Sequence, residues 1–313
     1  YSKEQFQALL FQSDLDAVSL GLPGAYTASL RDYFYEVSSG KLEIYGDGES
    51  VIDWTAMKND YSYYVDDAQG TGAGNNGISH SSAAIVVEAA ISNDNAINYA
   101  DFDGNGDGVV DAVILVVRGW GDGSSTQFWP HMSLIHSGVN GIASIDAEAS
   151  VNSEGYFSLD GVVIKKYLLT TEQYYPDNQS GSDRGWIHPI GTTCHELGHI
   201  LGLPDLYDTS VSSAEGIGEW GLMGSGNWLK QISPTYPSAW SRYHLGFIDP
   251  LIVESVEGAS FSLFPGENFN NDKAILLPMN SFNPHEYLLL ENRQKNGSDQ
   301  FLKNSGLLIW HID

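Results

Sequence analysis

The sequence predicts a mixed α/β (α+β) domain followed by a β-rich extension, and three observations lead there. Segments with apolar residues at helical spacing alternate with short β-branched runs until about residue 250. One helical segment carries two histidines four residues apart and stops at a glycine. Beyond Pro250 the texture changes to short apolar runs separated by Gly, Asn, Asp and Pro, which read as strands. The expected division is 1–250 for the mixed domain and 251–313 for the extension.

Taken in order, "YSKEQFQALLF" opens with Ser2 and Gln5 at capping-box spacing and sets Phe6, Leu9 and Leu10 on one helical face. "SLRDYFYEVSSGK" places Leu30, Phe34 and Val37 on one face, with Gly40 at the C-terminal cap. "KLEIYG" alternates as a strand does, and "SSAAIVVEAAISN" reads as a buried helix. "DAVILVVRGW" is a buried strand and "GVVIKKYLLT", Gly161–Thr170, another. "DNQSGSDRG", Asp177–Gly185, is a polar surface loop. Helices follow around Ile190–Leu201 and Ser238–Leu245, the second ending at Gly246. The extension contributes "ASFSLFP", "KAILLP", "EYLLLENR" and "GLLIWHI" as strands.

Bulk properties narrow the function. Of 313 residues, 42% are hydrophobic, enough for a sizeable core. Asp and Glu number 40 against 14 Lys and Arg, a formal charge of −26. That field repels nucleic acid and anionic membrane surfaces and suits divalent cations. The longest strongly apolar run, Ala112–Val117, is far too short to span a bilayer. Cys194 is the only cysteine, so no intrachain disulfide forms. No signal peptide is visible, the first residue is not Met, and the chain stops after "LLIWHID"; both ends read as cuts within a larger product.

The stretch "TTCHELGHILGLPDLYD", Thr192–Asp208, concentrates metal-ligating side chains. On a helix, His195 and His199 share a face and reach one ion, and Glu196 stands beside the first of them to address a water on that ion. Neutral imidazole suits zinc, and a catalytic zinc keeps three protein ligands and an open position. Gly202 can end the helix and Pro204 holds Leu203 extended, so the chain turns back under the ion. That turn makes Asp205 the expected third zinc ligand, with Asp208 as its rival.

A second constellation is "DFDGNGDGVVD", Asp101–Asp111. Asp103, Asn105, Asp107, the Val109 carbonyl and Asp111 follow the first nine positions of an EF-hand-like calcium loop, with Gly108 at the sharp turn. The twelfth position is Ile114 instead of Glu, so the expectation is a structural calcium clip.

His195-Glu196-x-x-His199-x-x-Gly202-x-x-Asp205 resembles the extended motif of metzincin-type zinc peptidases with aspartate as third ligand. Met223, in "GEWGLMGSGNW", resembles the methionine turn beneath the metal in that clan. Together with "SAWSRYHLGF", "WPHM" and "EYLLLENR", these segments resemble the immune inhibitor A-like secreted metalloproteases of bacteria. The resemblance implies a zincin-like catalytic domain with a mixed twisted sheet and an active-site helix. It implies a secreted zinc endopeptidase acting on proteins or peptides, with Glu196 as general base. Substrate would lie along an edge strand, for which Gly161–Thr170 is the candidate. The family pattern usually opens with a strand ahead of the first helix; that strand is missing here and would belong to another segment of the precursor. Ser225 stands where some metzincins have a tyrosine, which leaves Tyr207, Tyr236, Tyr243 and His244 as candidate transition-state donors. The alternative is an inactive zincin-fold module that binds calcium for a structural or adhesive role.

Overall fold

The computed structural model of the chain describes all residues except 23–25, 27, 75, 77–78, 122–123, 136–149, 152–155, 175–184, 211–213, 255–256, 259, 266–273 and 281–282. The loop expected at Asp177–Gly185 therefore lies, up to its last residue, outside the described residues. The fold is α+β, with helices and mixed sheets. It divides into two compact units: Tyr1–Gln7 with Gly46–Pro189, and Ala8–Tyr45 with Ile190–Asp313.

The division passes through helix α1 (Lys3–Phe11), whose start carries the expected capping box. The Ser2 amide donates to Gln5 Oε1 at 3.0 Å and the Gln5 amide to Ser2 Oγ at 3.4 Å. Helix α2 (Leu30–Val37) buries Leu30, Phe34 and Val37 as its spacing predicts, and Ser29 and Asp32 cap it reciprocally. "KLEIYG" alternates in exposure as expected but joins no described strand. Alternation marks an extended segment with one sheltered face; a strand needs a ladder partner as well.

In the first unit, the short helix α3 (Tyr61–Val65) and the apolar helix α4 (Ser82–Ser92) pack with a mixed sheet. Strand β1 (Val113–Trp120) runs parallel to β6 (Lys166–Tyr174). Strands β2 (His131–Leu134) and β7 (Trp186–Ile187) pair antiparallel to β6. Strands β3 (Ser150–Val151), β4 (Phe157–Leu159) and β5 (Val162–Val163) form a separate small sheet. Glu88 on α4 is buried, its carboxylate taking the Tyr64 hydroxyl at 2.6 Å and the Lys58 amide at 2.5 Å.

This topology corrects the candidate substrate strand. Gly161–Thr170 is not one strand but the whole of β5 followed by the start of β6. Residues Tyr167–Leu169 are flanked by β1 on one side and β2 on the other, so they offer no free edge to a peptide. Apolar composition marks a strand as buried without saying which neighbours bury it.

The second unit holds α2, helix α5 (Ile190–Ile200), helix α6 (Ala239–His244) and a four-stranded sheet. The sheet order is β11 (Gly306–Ile312), β10 (Asn283–Arg293), β9 (Ala274–Asn280), β8 (Leu251–Ile252). "KAILLP", "EYLLLENR" and "GLLIWHI" thus form strands, whereas Phe261–Phe264 of "ASFSLFP" form none. The strands after residue 250 group with the residues from 190 onward in one compact unit. The reason is a buried network. Arg242 on α6 donates to Glu291 on β10 at 2.8 Å, and Glu291 also accepts from Trp310 Nε1 at 2.8 Å. Leu289, Ala274 and Leu276 pack against Ala239 and Ile248 beside it. Among the described residues, no helix is long and apolar enough to cross a membrane.

Candidate metal centre and catalytic site

Helix α5 is buried along nearly its whole length, with His199 more open than the rest. Its sequence explains this: Ile190, Cys194, Leu197 and Ile200 supply apolar contacts, and Gly191 and Gly198 let neighbouring segments approach closely. A Cβ on Gly198 would meet the Met223 sulfur at 2.7 Å. Met223 is itself fully buried, so its thioether lies against the helix between the two histidine turns.

The helix ends as expected. Gly202 takes φ +106°, and the Leu203 amide donates back to Gly198 O at 2.9 Å. The reversed chain presents the Leu203 carbonyl to His199 Nδ1 at 2.8 Å. His195 Nδ1 reaches the Leu222 carbonyl at 3.0 Å. Because a carbonyl only accepts, both neutral rings carry their proton on Nδ1 and leave a lone pair on Nε2. The rings stand perpendicular with centroids 4.8 Å apart.

Asp205 completes the group. Its Oδ1 lies 3.2 Å from His195 Nε2 and 3.3 Å from His199 Nε2. The ligating atoms of the three residues all fall within 4.8 Å of one another, the one such His/Cys/Asp/Glu group among the described residues. Oδ1 is buried and accepts no hydrogen bond. Three acceptor atoms converging on one point repel one another unless a cation sits among them, so the donor set fits a metal. The electrostatics agree. Burial pushes the Asp205 carboxyl up, but imidazoles protonated at Nε2 outweigh it by donating to the carboxylate and hold the carboxyl well below the usual carboxylate range, the proton standing where a cation would. Burial pushes His199 down, but Asp205, the Leu203 carbonyl and Glu196 raise it on balance. A site that favours a proton in this way favours a metal cation by the same field.

Asp208, the rival ligand, points elsewhere: its Oδ1 accepts from the Ser210 amide at 2.8 Å and the Ser210 hydroxyl at 2.6 Å. Glu196 is buried on α5, and its charge bears on both His199 and Tyr207. Of the four candidate donors, Tyr207 lies close to Asp205; burial and that carboxylate push its phenol up to about 12. Tyr236 is buried and donates to Glu36 at 2.7 Å, and the His244 ring stacks on Trp240 with centroids 5.0 Å apart. Cys194, next to His195, is fully buried, and burial pushes its thiol well above the ordinary range.

Sequence reading missed the carbonyls of Leu203 and Leu222 and the close approach at Gly198. Leu203 is foreshadowed by Pro204, since a residue before proline stays extended. Nothing local marks Leu222.

The acidic loop folds on itself. Asp103 accepts from the amides of Asp107 at 3.0 Å and Gly108 at 2.8 Å. Asn105 accepts from Asp107 at 2.9 Å, Asp107 from Val109 at 2.9 Å, and Asp111 from Gly104 at 3.2 Å. Gly106 and Gly108 take φ +73° and +81°, as the turn requires. The Val109 backbone bridges to Val163. The loop carboxylates do not form a group as tight as that of the histidine site.

The family described as "Immune inhibitor A peptidase M6, catalytic domain" matches residues 1–252. The chain is 28% identical over 273 residues to "Pre-pro-metalloprotease PrtV" of Vibrio cholerae serotype O1, covering 79% of this chain and 26% of that protein. It is 24% identical over 270 residues to "Immune inhibitor A" of Bacillus thuringiensis subsp. alesti, covering 80% of this chain and 36% of that protein. The chain thus aligns with about a quarter to a third of the length of these curated relatives.

Gly198→Ala is expected to force Met223 off the helix and to destabilise the protein by about 1–3 kcal/mol, as overpacking does. Urea denaturation checks it; an unchanged midpoint would show that helix and methionine are not in tight contact.

Proposed function

The chain belongs to the immune inhibitor A peptidase M6 family, and from that membership we propose that it is a secreted zinc-dependent endopeptidase with Glu196 as general base. The observation that carries the reading is the convergence of His195 Nε2, His199 Nε2 and Asp205 Oδ1, with the buried carboxylate of Glu196 on the same helix. Zinc held by these three residues would polarise the scissile carbonyl and acidify the attacking water. Glu196 takes a proton from that water and returns it to the leaving amine. Tyr207, close to Asp205 and protonated at neutral pH, is the best supported of the candidate donors to the developing oxyanion. Met223 supports the site from below through its contact with Gly198. A structural zinc is closed by four protein ligands and has no use for a neighbouring glutamate, which speaks against an inactive adhesion module.

The remaining parts of the proposal rest on composition and relatives. The charge of −26 suits an extracellular, calcium-containing medium. Asp103, Asn105, Asp107, Val109 and Asp111 are assigned to a calcium clip on the strength of their spacing. The partners are peptide substrates and, following the printed name of the Vibrio relative, other segments of a longer precursor.

Glu196→Gln is expected to retain zinc and fold but to lose hydrolysis by about 10²–10⁴-fold, the typical contribution of a general base. Wild-type turnover of casein by this variant would remove Glu196 from the mechanism. Asp205→Ala should elute from a desalting column free of zinc, whereas Asp208→Ala should keep it; metal analysis of both decides between the two aspartates. Calcium at about 100 times its Kd should stabilise the protein by about 2.7 kcal/mol. Identical melting temperatures with calcium and with a calcium-selective chelator would rule out the clip.

A further inference from the structure

The buried network around β10 does more than close the core of its unit. Arg293 is 1% exposed, and its guanidinium forks onto Asp299, Nε to Oδ2 and Nη2 to Oδ1, both at 2.5 Å. Its third nitrogen, Nη1, donates to the carbonyl of Trp220 at 2.7 Å. Trp220 lies two residues before Leu222, whose carbonyl orients His195. The other side of the same turn is held from the same centre. Asp299 Oδ1 accepts the Tyr236 amide at 3.0 Å, and the Tyr236 carbonyl accepts the Leu222 amide at 3.2 Å. The following carbonyl, of Met223, accepts the Leu206 amide at 2.8 Å, next in the chain to Asp205.

We infer that Arg293 is a positioning residue for the metal site, acting through the Trp220–Met223 turn on His195 and Asp205. Each link is a directional hydrogen bond inside one compact unit. A displaced Trp220 carbonyl moves Leu222, and with it the acceptor of the His195 Nδ1 proton. The planar fork is essential, because it binds a carboxylate with one edge and a carbonyl with the remaining nitrogen; a lysine ammonium supplies the charge without that geometry. Outer partners of this kind tune metal affinity by orienting the ligands.

The inference rests on the zinc reading, and its test separates the two. Zinc affinity is measured by chelator competition on the full chain, together with the visible spectrum of the cobalt-substituted protein. Arg293→Lys is compared with Leu289→Ala, a core truncation on the same strand within the apolar cluster of Ala239, Ile248 and Leu276. Both should lower the denaturation midpoint. Arg293→Lys should also weaken zinc binding by about 10–100-fold and shift the cobalt bands, while Leu289→Ala should leave affinity within about threefold. Should Arg293→Lys fail to fold, Asp299→Asn loosens the fork while keeping the cation and should weaken zinc in the same direction. Parental zinc affinity and cobalt bands in the folded Arg293 variant, or in Asp299→Asn if that alone folds, would overturn the inference. So would an equal loss of affinity in Leu289→Ala. A parent chain that binds no zinc would instead overturn the zinc reading.

Discussion

The Nδ1 protons of both site histidines are committed to main-chain carbonyls, His195 to Leu222 and His199 to Leu203. Much of the second unit can be understood from that constraint. With Nδ1 engaged, each ring turns an Nε2 lone pair towards Asp205, and three acceptors face one another in a sheltered space. The chain after α5 must reverse at once, because the Leu203 carbonyl has to come back beneath His199 on the helix just left; Gly202 permits it. The turn carrying Leu222 must press against the same helix, and Gly198 makes the room for Met223.

Holding a main-chain carbonyl within hydrogen-bond reach of a ring requires support from something stiff. In this unit the support is polar and buried: Arg242, Glu291, Arg293 and Asp299 are all nearly inaccessible to water. Buried ion pairs contribute little net stability, since desolvation offsets their attraction. Their merit is direction. The Arg293 fork accepts one arrangement of Asp299 and Trp220, where an apolar contact would tolerate sliding. The strands after residue 250 therefore serve the site helix, although in the sequence they look like an appendage.

The local features were legible in the sequence and the long-range ones were not. The two histidines four apart, the glycine stop and the returning aspartate follow from helical geometry and turn chemistry within one short stretch. The cap at Ser2 and the buried helix at Ser82–Ser92 are equally local. "KLEIYG" reads as a strand because alternation reports one sheltered face and not a ladder. Gly161–Thr170 reads as an edge because composition does not name neighbours; pairing with β1 and β2 comes from distant segments. Arg293 sat inside a recognised strand, yet nothing in "EYLLLENR" points to Trp220. The Leu222 carbonyl was invisible for the same reason, since main-chain groups carry no sequence signature of their own.

Cys194 sits on the site helix, fully buried and held as a protonated thiol. A protonated, inaccessible sulfur does not react with thiol reagents. The chain thus contains a single silent reporter: labelling can occur only when α5 lifts from its surroundings. Its labelling rate measures how often the site helix comes loose, a quantity that turnover of substrate averages away.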